Sequence, residues 1–149
     1  MCGYAKGAAE MKKLNIPVGI SDFEKIRNGG FYYIDKSGLI TEILDEKAEV
    51  ILITRPRRFG KTLGMSMLES FFDIRKDSKE LFDGLEIAEH QVLCDEWMNQ
   101  YPTVFISFRQ VDGLDFTGAY DMLFICLIVK VLQNSKKQRL SILHMAMVL

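Results

Sequence analysis

A short apolar run that gives way to an arginine-rich loop and then to Gly-Lys-Thr constrains this chain more than any other stretch. It reads Val50-Ile51-Leu52-Ile53-Thr54-Arg55-Pro56-Arg57-Arg58-Phe59-Gly60-Lys61-Thr62. Val50 to Ile53 has the composition of a strand buried on both faces. Arg55 to Phe59 is a basic loop in which Pro56 fixes one φ angle. From Lys61 onward, Leu63, Met67, Leu68, Phe71 and Phe72 recur at helical spacing. Strand, loop, Gly-Lys-Thr and helix is the order in which a phosphate-binding loop is built. The usual pattern has a glycine five positions before Gly60, where this chain has Arg55. Arginine does not copy a glycine at positive φ, so the loop must enter by a different path, set by Pro56.

Such a loop works by aiming backbone N–H groups and the positive end of a helix at a triphosphate. Gly60 lets the backbone come close. Lys61 would lie between the β- and γ-phosphates, and Thr62 would place its hydroxyl on Mg²⁺. Arg55, Arg57 and Arg58 add positive field, and Pro56 and Phe59 complete the loop. The expected nucleotide-binding set is therefore Arg55, Pro56, Arg57, Arg58, Phe59, Gly60, Lys61 and Thr62, with ATP and Mg²⁺ as cofactors and Thr62 as the metal contact. The rival use of the arginines is contact with nucleic-acid phosphates. A formal net charge of −1 over 149 residues offers no general basic surface for it.

The same chain gives little to other chemistries. Cys2, Cys94 and Cys126 are far apart, and His90 and His144 stand alone, so neither metal-ligand nor redox spacing occurs. No nucleophile, base and orienting acid come together, and no catalytic residue is assigned. An ATPase also needs an acid at the end of a neighbouring strand. Asp95 and Glu96 follow only three apolar residues within a helical pattern and read as solvated helix residues. Asp112 and Asp115 read as loop acids. A Walker B element is therefore not found. The longest apolar run, Met122 to Val129, is far short of the ~18 residues of a membrane span, and no secretory signal is visible. The expected compartment is the cytoplasm.

Taken in order, residues 1–13 read as a disordered leader, with Met11 as the better start. Ser21-Asp22-Phe23-Glu24 is a capping box for a helix that ends at Asn28 before Gly29-Gly30. Phe31 to Ile34 has strand character. Asp35 and Ser37 compete to cap a helix running through Glu46, with Leu39, Ile40, Ile43 and Leu44 on one face. In the helix after Lys61, Ser66, Glu69, Ser70 and Asp73 fall opposite the apolar stripe. A short helix over Asp77–Phe82 breaks at Gly84, and Leu85–Asn99 reads as one helix anchored by Trp97. Thr103 to Phe108 is a second core strand, Arg109 to Gly118 a loop, and Ala119 to Leu132 an apolar helix. The alternation predicts an α/β, P-loop NTPase-like fold: a partial parallel sheet with helices on both faces.

Several blocks together resemble a known family. They are Ile16-Pro17-Val18-Gly19-Ile20-Ser21-Asp22-Phe23, Tyr32-Tyr33-Ile34-Asp35-Lys36-Ser37, the stretch Leu52 to Thr62, Leu85-Glu86-Ile87-Ala88 and Tyr101 to Phe108. In order and spacing, from Leu14 to Ile125, they are similar to the N-terminal half of bacterial AAA-ATPase-like proteins. The resemblance implies that Arg55 belongs to that family's own form of the loop. It also implies a Walker B strand and a PD-(D/E)XK nuclease domain further along, the latter a route to nucleic acid. The domain reading is then 14–133 as an incomplete AAA-ATPase-like P-loop domain and 134–149 as an atypical tail, as in a truncated or frameshifted product with its C-terminal part missing. The functional expectation is an ATP-binding fragment with weak or absent hydrolysis. The alternatives are a non-enzymatic module that binds nucleic acid or a protein, and a non-functional remnant.

Overall fold

The structure is a computed structural model that describes residues 14–46, 50–54, 56, 58–106 and 115–135. The 1–13 leader, His144 and the 136–149 part of the tail lie outside the described residues. Among those described, the regular elements are helices. They are α1 (Phe23–Asn28), α2 (Gly38–Asp45), α3 (Lys61–Phe72), α4 (Lys79–Phe82), a 3-10 turn over Glu86–Glu89, α5 (Gln91–Trp97) and α6 (Phe116–Ser135).

The core forms around α3. Met67, Leu68, Phe71 and Phe72 are buried there, as the helical spacing predicts. Phe23 from α1 and Phe82 from α4 close over them. The Phe23 and Phe82 rings are 5.0 Å apart, and Phe71 meets Phe82 edge-on at 5.3 Å. Such pairs favour offset or edge contacts and add to the burial of their area. Ile40 of α2, Leu85 and Ile87 complete the same cluster.

Polar contacts fix how the helices meet. The cap of α1 is Asp22 and not the expected Ser21: its Oδ1 accepts the Lys25 N–H at 3.1 Å. Gly30, at φ 61°, takes the left-handed conformation that ends the helix region. The Phe23 N–H donates to Ser66 Oγ at 3.1 Å, docking α1 on α3. Arg27 donates from Nε to the Leu81 carbonyl and from its terminal nitrogen to the Asp83 carbonyl, both at 2.7 Å.

Asp35 and Ser37, the two competing caps of α2, do something different. The Asp35 carboxylate accepts the N–H groups of Ser37 and Glu86, each at 2.8 Å. Ser37 is the N-cap residue, yet its Oγ makes no cap bond and accepts the Ile87 N–H at 3.1 Å. Both side chains thus clamp the start of α2 to the 3-10 turn. Burial pushes the Asp35 carboxyl up, but the N–H groups of Glu86 and Ser37, the Ser37 hydroxyl and the Arg27 charge outweigh it and hold the group below its ordinary value.

The α/β expectation is overturned. Among the described residues there is no strand and no sheet; an isolated parallel bridge, Asp73 with Tyr101, is the sheet-like contact. The reason is pairing. A strand exists only through hydrogen bonds to a neighbour, and an apolar run does not supply the neighbour. The Tyr32 N–H reaches the Asn15 carbonyl at 2.7 Å, but no ladder follows. Burial on both faces also fails. Val50 and Leu52 are about three-quarters exposed, while Ile51 and Ile53 are half-buried. The same alternation holds over Phe31 to Ile34. These segments keep the period of two and lay one face on the helices. The third candidate, from Thr103, is irregular through Ile106; its last two residues lie outside the described ones.

Three smaller expectations also change. Ser70 and Asp73, placed by periodicity opposite the core, are fully buried. The Asp73 carboxylate is enclosed by the Arg75 backbone N–H and guanidinium. The single helix expected over Leu85–Asn99 breaks at His90, between the 3-10 turn and α5. The last helix begins three residues earlier than expected, at Phe116. Asp95 and Glu96 are exposed on α5, as solvated helix residues should be.

Candidate functional site

The site candidate is the point where the chain enters α3. The Phe59 N–H closes a turn onto the Pro56 carbonyl at 3.4 Å. Arg58 has φ 68° and Gly60 has φ 75°. The left-handed region is uncommon for a side chain as large as arginine, so this loop is held by its surroundings. Gly60 is the N-cap of α3 and, lacking a side chain, offers no side-chain acceptor to the first-turn N–H groups. Such an uncapped, positive helix end suits an anion.

Beside this turn lies a cleft of about 520 Å³. Its walls come from α2, from residues 50–53, and from the start of α3. Phe59, Gly60, Lys61 and Gly64 form the α3 side. Lys36 enters from the segment before α2. A β-carbon placed on Gly60 would lie 3.2 Å from Lys36 Nζ, so this ammonium sits directly over the glycine. Glu42, Asp45 and Glu86 also line the cleft. The Glu86 carboxylate packs against Gly38, where a β-carbon would stand 2.9 Å from its Oε2. Thr41 Oγ1, also in the lining, is buried without a hydrogen-bond partner among the described residues.

The expected loop residues are therefore divided. Phe59, Gly60 and Lys61 stand in the cleft wall. Thr62 is half-buried in the first turn of α3 but outside the lining, and Pro56 and Arg58 are exposed outside it. Arg55 and Arg57 lie outside the described residues. Lys36 and Thr41 were not in the sequence-based set. Their only signal is position: Lys36 falls in the block Tyr32-Tyr33-Ile34-Asp35-Lys36-Ser37, and Thr41 one helical turn after it.

The residues present fit a phosphate group. The bare N-cap, a glycine with the Lys36 ammonium over it, and Lys61 in the cleft wall supply close approach and charge. A protein-only metal site is not formed: among the described residues no group of three or more His, Cys, Asp or Glu is placed to hold an ion. A metal here would come with the phosphates.

Comparison with known proteins decides the family. Residues 17–140 match the AAA-ATPase-like family described as predicted AAA-ATPase. The chain belongs to that family. An ATPase-like character and nucleotide use are what this AAA-ATPase-like family brings in general terms. An uncharacterized protein from the vnfD 5′ region of Azotobacter chroococcum mcd 1 is 34% identical over 99 residues, which is 66% of this chain. The chain spans only 18% of that relative's length. No solved structure matches significantly. Among the described residues no helix is long and apolar enough to cross a membrane.

Proposed function

We propose that this AAA-ATPase-like chain binds Mg-ATP, with the phosphates held at the N-terminus of α3. The observation that carries the reading is Gly60 in the left-handed conformation as the bare N-cap of a 12-residue helix, opening on a cleft that Lys61 lines. The first-turn N–H groups and Lys61 bind the phosphates, and the Thr62 hydroxyl serves the Mg²⁺ that accompanies them. The metal would neutralise charge on the transferring phosphoryl group. Arg55, Arg57 and Arg58 supply positive field around the loop. The acids Asp95 and Glu96 lie on the exposed side of α5, and no acid is assigned to activate water, so turnover in this chain is slow or absent.

Thermal unfolding tests the reading. A ligand that binds only the folded state at a hundredfold excess over its Kd adds about 2.7 kcal/mol of stability. Mg-ATP at saturation raises the melting temperature of the wild type by several degrees and leaves Lys61→Ala unmoved. An equal rise in both proteins, or none in either, contradicts it. A steady ATPase rate well above background contradicts slow turnover.

A further inference from the structure

We infer that Lys36 is a second cation of the polyphosphate subsite, held in place by the Asp35–Ser37 clamp; this rests on the nucleotide reading above. Three observations carry it. The Lys36 ammonium stands over Gly60, 3.2 Å from where a β-carbon would be placed. Lys36 and Lys61 line the same cleft, and neither forms an ion pair among the described residues. Finally, both neighbours of Lys36 are tied down: Asp35 to the Glu86 N–H and Ser37 to the Ile87 N–H. A lysine whose flanks are fixed loses little backbone freedom when it meets a ligand, which is the advantage of preorganisation.

Charge selects the ligand. The Glu42, Asp45 and Glu86 carboxylates line the same cleft and repel a polyanion. Lys36 over Gly60, with Lys61 in the cleft wall, supplies the cationic seat. Recognition there is by charge and not by base, so the class of ligand is the polyphosphate of a nucleoside triphosphate. Asp35 touches no ligand and is a positioning residue.

The test is calorimetric titration of the full chain with Mg-ATP, inorganic tripolyphosphate and adenosine, using wild type, Lys36→Gln, Lys36→Arg and Lys61→Ala. Losing one charge-assisted contact should weaken Mg-ATP and tripolyphosphate about tenfold or more in Lys36→Gln. Adenosine binding should be unchanged in that variant. Lys36→Arg keeps the charge and should stay closer to wild type than Lys36→Gln. Lys36 is exposed, so melting temperatures should coincide with wild type. If Lys36→Gln binds ATP as the wild type does while Lys61→Ala does not, the inference fails and the nucleotide reading stands. Equal losses in the glutamine and arginine variants, or a matching loss for adenosine, also overturn it. No binding of ATP by the wild type sinks both.

Discussion

Single side chains carry more of this structure's specificity than their number suggests. Tyr33 donates its hydroxyl to Met67 Sδ at 3.3 Å and packs edge-on against Phe23 at 5.4 Å. Burial and the charge of Asp35 push its hydroxyl from 10.0 up to about 12. The folded state therefore keeps the proton that the unfolded state gives up first. The stability so linked is intact below pH 10.0 and falls as the pH rises to about 12. In Tyr33→Phe this fall is missing, and urea midpoints measured between those pH values should decline less than in the wild type. Asp35 has the opposite sign. Its folded value lies below the ordinary 3.8, so its contribution is present above that pH and is lost as the pH falls through the folded value. Neither role is visible in sequence. Asp35 and Ser37 both look like caps for the helix that follows them, yet each accepts a backbone N–H from about 50 residues away.

At the scale of elements, what could be read depended on how local its cause is. The helix beginning at Lys61 and the inward set Met67, Leu68, Phe71 and Phe72 follow from spacing alone. The buried side of Ser70 and Asp73 does not, because it depends on residues 99–101. Asn99, at φ 56°, closes the C-terminus of α3. Its Nδ2 donates to the Ser70 and Asp73 carbonyls at 3.1 and 2.9 Å, and its Oδ1 accepts the Ser78 N–H at 3.0 Å. Its own N–H donates to the Phe71 carbonyl at 2.7 Å. Asn99→Ala strips the side-chain bonds and leaves a β-branch-free but still strained left-handed residue. It should lower the unfolding free energy by roughly 2–4 kcal/mol in urea titrations. Asn99→Gly relieves the backbone and should cost less. A loss below about 0.5 kcal/mol in the alanine variant, the size of an ordinary surface change, would contradict this account of the α3 terminus.

For the whole molecule, the sheet was the part that sequence reasoning supplied and the described structure lacks. Apolar runs at Val50–Ile53 and from Thr103 announce surface that wants burial, but only a neighbouring strand turns such a run into a ladder. Here Val50 and Leu52 remain exposed and the packing falls to helices around Phe23, Phe71 and Phe82. In the candidate site, Gly60 and Lys61 stand together in the contiguous Gly-Lys-Thr, whereas Lys36 reaches the cleft only through the fold. Membership of the AAA-ATPase-like family and this geometry support the proposal that α3 presents its N-terminus to the phosphates of ATP. Isothermal calorimetry of Mg-ATP with wild type and Lys61→Ala at equal ionic strength tests it most directly. The account predicts saturable one-to-one binding by the wild type and a loss of at least about tenfold in affinity on removing the lysine charge. Binding of equal strength in both proteins, or no heat of binding in the wild type, would contradict it.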